Sequence, residues 1–343
     1  MNELSLRQRQ ILQAIIEDYI NNAMPVGSRT ISKTFALSSA TIRNEMSDLE
    51  DLGYLEQPHT SAGRIPSEKA YRFYVDNLMK LTMLSQNEIE YAKSYYDVRI
   101  GQTAEILTDA ARVISDLTQY VSIVTPPKAE NVKVASIQLM QVNPKTAMVV
   151  LLTDTGIVQN TPIVLPVSVT REQLDSMSKL LTNMFAGKSV NEIHPGIQYA
   201  VAGEIADQKL LFDTVCSVLE ARVEKDERDV VVNGTSRLLS HQEFADIKKV
   251  QSFLEILEEK ERLGEIVGDD DNGVQVRIGH ETGLGDVSIV TATYSAGDKH
   301  LGKVGVIGPT RMQYDKVISV LDQVGRTLSN MFSENSSTED NKK

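Results

Sequence analysis

Ser39-Ala40-Thr41-Ile42-Arg43-Asn44-Glu45-Met46-Ser47-Asp48-Leu49 is the stretch on which the fold turns. At about 100° per residue, Ile42, Met46 and Leu49 share one side of a helix. Ala40, Arg43, Asn44 and Ser47 share the other, with Thr41 at the edge. A solvated helix face ordinarily mixes Glu and Lys. This one offers the groups that read base edges: arginine for guanine, asparagine for adenine, and Ala or Thr methyls for the thymine methyl. The short side chains of Ser39 and Ala40 would let the backbone approach a groove. Toward the N-terminus, Ala36-Leu37-Ser38 spans a turn, and a helix over Arg29–Phe35, capped by Ser28, would bury Ile31 and Phe35. Earlier still, Ser5 and Gln8 match a capping box. It opens a helix over Ser5–Asn21 whose rows Ile11, Ile15, Tyr19 and Leu12, Ile16, Ile20 form one buried face, stopped by Pro25. Two helices joined by a short turn, the second presenting such a face, make a helix-turn-helix. An inert three-helix bundle is the plainer alternative.

The residues that follow favour the first reading. Gly53–Gln57 reads as a short strand, Pro58-His59-Thr60-Ser61-Ala62-Gly63 as a turn-rich tip without an acid, and Arg64-Ile65-Pro66 as the return. A hairpin directly after a recognition helix is a wing, and His59, Thr60, Ser61 and Arg64 are placed to meet phosphates or the minor groove. The charge distribution agrees. The 343-residue chain carries a formal net charge of −12, which argues against nonspecific coating of nucleic acid by the whole molecule. Yet Ile20–Asn44 holds Arg29, Lys33 and Arg43 and no acid, a positive island in an acidic protein.

Four strings resemble the HrcA family of bacterial heat-inducible transcription repressors: Pro25–Arg29, Ser39–Met46, Gln57–Pro66 and, near the other end, Val304–Tyr314. The resemblance implies an α+β multidomain architecture. It comprises an N-terminal winged helix-turn-helix (1–80), a discontinuous GAF-like α/β domain (85–166 and 261–332) and an inserted dimerising domain of helices and strands (167–260). It also implies a homodimer that binds double-stranded DNA at an inverted-repeat operator, CIRCE, ahead of chaperone operons. In the family the chaperonin helps keep the repressor in its DNA-binding form.

The remaining residues read independently as a mixed body. Helices are expected over Pro66–Lys80, Ser85–Val98 and Thr103–Tyr120, a helical rather than Gly/Ser-rich connection. Val132–Gln141, Thr146–Thr153 and Ile157–Gln159 have strand texture. A helical block at 167–260 interrupts them, with helices from Thr170 to Phe185, Asp207 to Val223 and Ser240 to Leu263. Strands resume at Val274–Ile278, Val287–Tyr294 and Lys303–Val306. Asp315–Met331 is a closing helix and 333–343 a polar, disordered tail. Met177, Leu180, Leu181 and Met184 would line either a twofold interface or an intramolecular core; their spacing leaves both open.

Catalytic chemistry finds no support. His280-Glu281 lacks the second histidine of a zincin, and Asp269–Gly273 lacks the alternating ligands of a calcium loop. Gly302, Gly305 and Gly308 have packing spacing, not that of a dinucleotide fingerprint. The single cysteine, Cys216, excludes an internal disulfide and suits a reducing compartment. It lies among apolar neighbours and reads as buried and inert. Met1–Gln10 is charged where a signal peptide needs an apolar core, and the longest apolar run is Ala147–Leu152, so a cytoplasmic protein with no membrane partner is expected. The expectation is a repressor, not an enzyme, without cofactor, metal or catalytic residue; a regulator sensing a small molecule in the GAF-like pocket is the alternative.

Overall fold

The computed structural model describes residues 4–59, 62–94, 103–128, 131–155, 158–165, 169–193, 209–228, 230–267 and 273–337. The N-terminal head contains α1 (Leu6–Asn22), α2 (Ser28–Ser32), α3 (Ser39–Asp51) and the hairpin of β1 (Leu55–Glu56) and β2 (Ile65–Pro66). Helix α1 begins as its sequence dictates: Ser5 accepts from the Gln8 amide and the Gln8 side chain accepts from the Ser5 amide. Ile11, Leu12, Ile15 and Ile16 of α1 are fully buried in the same core as Ile42 and Leu49 of α3. Helix α2 is shorter than its periodicity suggests and is preceded by Gly27, not capped by Ser28. The Ser32 hydroxyl bonds the Arg29 carbonyl at 3.0 Å and meets the Ser39 hydroxyl at 3.0 Å, which ends α2 and links it to the start of α3. Helix α4 (Glu68–Phe73), capped by Ser67, runs into a π turn at Tyr74–Leu78 and leads through α5 (Gln86–Ser94) to α6 (Thr103–Thr118).

Beyond the head lie β3 (Val121–Val124), β4 (Val134–Asn143), β5 (Thr146–Thr153) and β6 (Val158–Val164). They are followed by α7 (Arg171–Phe185), α8 (Lys209–Arg228), β7 (Val231–Asn233), α9 (Ile247–Glu258) and α10 (Lys260–Val267). The chain closes with β8 (Val274–Ile278), β9 (Val287–Ala296), β10 (Lys299–Pro309) and α11 (Tyr314–Ser337). Five strands form one antiparallel sheet in the order β7-β3-β10-β9-β8. Strand alternation sorts their side chains into two cores. Val124, Val290, Val304 and Val306 join Ile114, Val324 and Leu328 on the α6/α11 face, while Ile123, Ile289 and Ile307 join Phe253, Leu257 and Leu263 on the α9/α10 face.

The other three strands form their own sheet, β4-β5-β6. This corrects the expected domain boundaries, which assigned them to the main sheet and opened the insertion at 167. The interruption between the neighbouring strands β3 and β7 already contains β4, so the inserted unit takes in β4 through α8, and residues 231–260 belong with the five-stranded sheet. Apolar alternation marks a strand but does not say which sheet it joins. Met177 and Leu181 of α7 are 0% exposed and pack in one core with Ile137, Leu139, Val149 and Leu151, so of the two readings open for them the intramolecular core holds and not the dimer interface; Leu180 and Met184 are half-buried against that core. The Ser178 and Thr182 hydroxyls of α7 accept from the Leu139 amide at 2.8 Å and the Ile137 amide at 3.0 Å, occupying the free edge of β4.

Two further expectations fail for tertiary reasons. The helix expected over Ser240–Leu263 is replaced by short 3-10 turns at Thr235–Ser240 and Gln242–Phe244, followed by α9 and α10. The would-be capping Glu243 instead pairs with Arg311. The first part of the expected tail, 333–337, is instead helical, because Phe332 is buried against Tyr294 and the Ser333 hydroxyl accepts from the Gly297 amide; residues 338–343 lie outside the described residues. Among the described residues, no helix is long and apolar enough to cross a membrane.

Candidate nucleic-acid interface

Helix α3 is held by its apolar side and left open on the other. Ser38 caps it by accepting from the Thr41 amide at 3.1 Å, and Gly53, at φ +77°, ends it. The amides of Gly53 and Tyr54 return to the carbonyls of Glu50 and Leu49, both at 2.8 Å, a pairing that needs the left-handed backbone glycine adopts readily. The face so presented carries exposed Ala40, Arg43, Asn44 and Ser47, with Ser39 and Thr41 half-buried at its start. The Ser39 hydroxyl is occupied by Ser32, and that of Thr41 meets Ser38 at 2.9 Å. Among the described residues, the Arg43 and Asn44 side chains have no protein partner.

Arg29 and Lys33 share this freedom. Both are exposed in and beside α2, and neither side chain has a partner among the described residues. The positive island pointed to them, although the helical-wheel reading did not include them among the site residues. Other cations of the head are committed elsewhere: Arg7 lies 3.3 Å from Glu45, Arg72 pairs with Glu281, and Lys69 sits 4.3 Å over the Tyr54 ring. The C-terminal part of α3 exposes Asp48 and Asp51, which would repel phosphates, so the end fit to enter a groove is Ser39–Ser47.

The wing is clamped to the head. Val26 and Arg64 exchange both backbone hydrogen bonds, at 2.8 and 2.9 Å. A Cβ at Gly63 would lie 2.4 Å from the Val26 carbonyl oxygen, so this approach requires glycine. The Gln57 amide donates to the Ala62 carbonyl at 3.1 Å, bracing the turn. His59 is exposed at its tip, and Thr60 and Ser61 lie outside the described residues. Arg64 differs from expectation: its Nε and Nη2 bond Glu50 at 2.8 and 2.7 Å. It joins wing to recognition helix instead of extending toward a phosphate. Spacing alone could not reveal a partner fourteen residues away.

Elsewhere the chemistry is structural. Cys216 is buried, and burial pushes its thiol pKa up to about 12. Gly302 and Gly308 stand where a Cβ would meet Tyr294 and Tyr120. His280 and Glu281 bond Glu68 and Arg72 of the head. Among the described residues there is no group of side chains suited to a metal.

An open helix face, unpartnered cations beside it and a clamped hairpin together define a winged-helix DNA-binding regulator. Residues 3–78 match the winged helix-turn-helix transcription repressor, HrcA DNA-binding family, and residues 104–318 match the HrcA protein C terminal domain. The heat-inducible transcription repressor HrcA of Brevibacillus brevis is 40% identical over 96% of this chain and 98% of its own. That of Pelotomaculum thermopropionicum is 40% identical over 96% and 97%. A crystal structure at 2.2 Å described as a hypothetical protein matches with a TM-score of 0.72 and 26% identity, covering 97% of this chain and all of that one. The chain belongs to the HrcA family of heat-inducible transcription repressors, which are regulators and not enzymes.

Proposed function

We propose that this protein acts in the cytoplasm as a homodimeric repressor of chaperone genes, binding the inverted-repeat CIRCE operator and released by heat, with the chaperonin sustaining its DNA-binding form. The observation that carries this reading is the contrast in charge use: Arg29, Lys33 and Arg43 are exposed and, among the described residues, unpaired around the α2–α3 turn, while Arg7, Arg64 and Arg72 are held in ion pairs. Arg43, Asn44 and Ser47, with the Ala40 methyl, read bases. Arg29 and Lys33 hold phosphates, Ser39 and Thr41 order the start of the helix, and His59, Thr60 and Ser61 meet the backbone or minor groove from the wing. The five-stranded sheet corresponds to the GAF-like domain.

An inverted repeat calls for twofold symmetry. The inserted unit offers a surface for it. The face of the three-stranded sheet away from α7 exposes Met140 (60%) and Val164 (75%), with half-buried Met148 lying between Met140 and Pro162. Such a face suits a second copy of itself. A gel shift with the full inverted repeat, a single half-site and a scrambled repeat, with and without chaperonin, tests the proposal. Preference for the full repeat, enhanced by chaperonin, is expected. Equal affinity for the scrambled and intact repeats would refute operator recognition.

A further inference from the structure

The Gly308–Tyr314 stretch takes no part in the DNA face, yet its arginine touches the head. Arg311 follows β10, and its side chain is 14% exposed. Its Nη1 donates to the Ile20 carbonyl at 3.1 Å. Ile20 belongs to the last turn of α1, where carbonyls lack helical partners and the helix end favours a cation. The remaining nitrogens form a two-point pair with Glu243, Nη2 lying 3.3 Å from its second oxygen. Glu243 lies in the 3-10 turns after β7, the return leg from the inserted unit. One guanidinium therefore ties together the first helix of the head, the central sheet of the body and the segment leaving the insertion. Helix α1 packs on α3, so whatever fixes α1 also fixes the recognition face. A second set of bonds lies on α4. Arg72 donates to the Val276 carbonyl at 2.6 Å and pairs with Glu281, and Glu68 bonds His280. Among the described residues, no bond from the outward face of α3 reaches the body, so docking leaves that face open.

We infer that Arg311 is a positioning residue for operator recognition, locking the DNA-binding head to the body so that the two recognition helices of a dimer keep one spacing. The inference rests on the dimeric reading above. A guanidinium is needed because three directions must be met at once: one carbonyl and two carboxylate oxygens. Without it the head is held by the α4 contacts and the chain leading to α5, and the second half-site loses the effective concentration that fixed geometry supplies.

The test uses full-length wild type, Arg311→Met, Arg311→Lys and Glu243→Gln against a half-site, the full repeat and repeats whose spacing is changed by about half a helical turn, roughly five base pairs. Wild type is expected to prefer the full repeat and to lose that preference when the spacing changes. Arg311→Met is expected to keep half-site affinity within about twofold, to lose roughly tenfold or more on the full repeat, and to tolerate altered spacing. Arg311→Lys should fall between them. Glu243→Gln, which keeps the Ile20 bond, should lose less than Arg311→Met and carries the test should that variant not fold. If half- and full-site affinities fall together with the folded fraction, Arg311 is merely structural and the inference is wrong. If wild type prefers the full repeat and Arg311→Met matches it, the inference alone fails. If wild type binds half- and full sites alike, the dimeric reading fails and takes this inference with it.

Discussion

Arg43 and Arg64 belong to one small domain and are put to opposite uses. Arg43 stands exposed on the open face of α3, whereas Arg64 spends two nitrogens on Glu50. Binding measured over a range of salt separates direct phosphate contact from positioning. Arg29→Ala and Lys33→Ala should each lower the slope of log affinity against log salt by about one and weaken all sequences alike. Arg64→Ala should also weaken all sequences but leave that slope nearly unchanged, because the arginine holds the wing and releases no counterion itself. An equal fall in slope for Arg64→Ala would return that residue to phosphate contact. The outward face of α3 was legible in the sequence because helical periodicity is local. The occupation of Arg64 was not, since it depends on how the hairpin folds back on the helix.

Elements were legible where their signals were local. Capping boxes at Ser5 and Thr170 form as their spacing dictates, because donor and acceptor lie within one turn. The same pattern at Ser240 fails because Glu243 has a distant cation to satisfy. Strand texture identified β4 and β5 but not their separate sheet. In that sheet the edge of β4 is occupied by helix hydroxyls, which yields an element-scale prediction. Thr182→Val and Ser178→Ala should each destabilise by about 1–3 kcal/mol, leaving the Ile137 or Leu139 amide buried without its acceptor. Denaturant unfolding measures this. A loss well below that range for both variants would show that the β4 edge finds other acceptors.

At the scale of the molecule, the head rests on the body through ion pairs and a buried aromatic contact. Tyr71 lies 6.1 Å, ring to ring, from Tyr314, and its hydroxyl is buried without a hydrogen-bond partner among the described residues. Burial raises the Tyr71 pKa well above the ordinary range, with Tyr314 adding to the effect, so the group stays neutral. Tyr71→Phe should therefore stabilise the protein by about 1 kcal/mol, read as a higher melting temperature without DNA. A fall would mean that the hydroxyl is bonded after all. Neither this junction nor the true start of the insertion was visible in the sequence, because both are made by residues far apart in the chain. The four strings that carry the family resemblance nevertheless bracket the architecture. Three build the DNA-binding head, and the fourth contains Arg311.

The most direct test of base reading by the N-terminal half of α3 compares wild type and Arg43→Ala on the intact repeat and on repeats with single substituted base pairs, at fixed salt. Arg43→Ala should lose about 1–3 kcal/mol on the intact repeat and no longer distinguish the base pair that Arg43 contacts, while discriminating the others as before. Unchanged affinity together with unchanged discrimination at every position would contradict it.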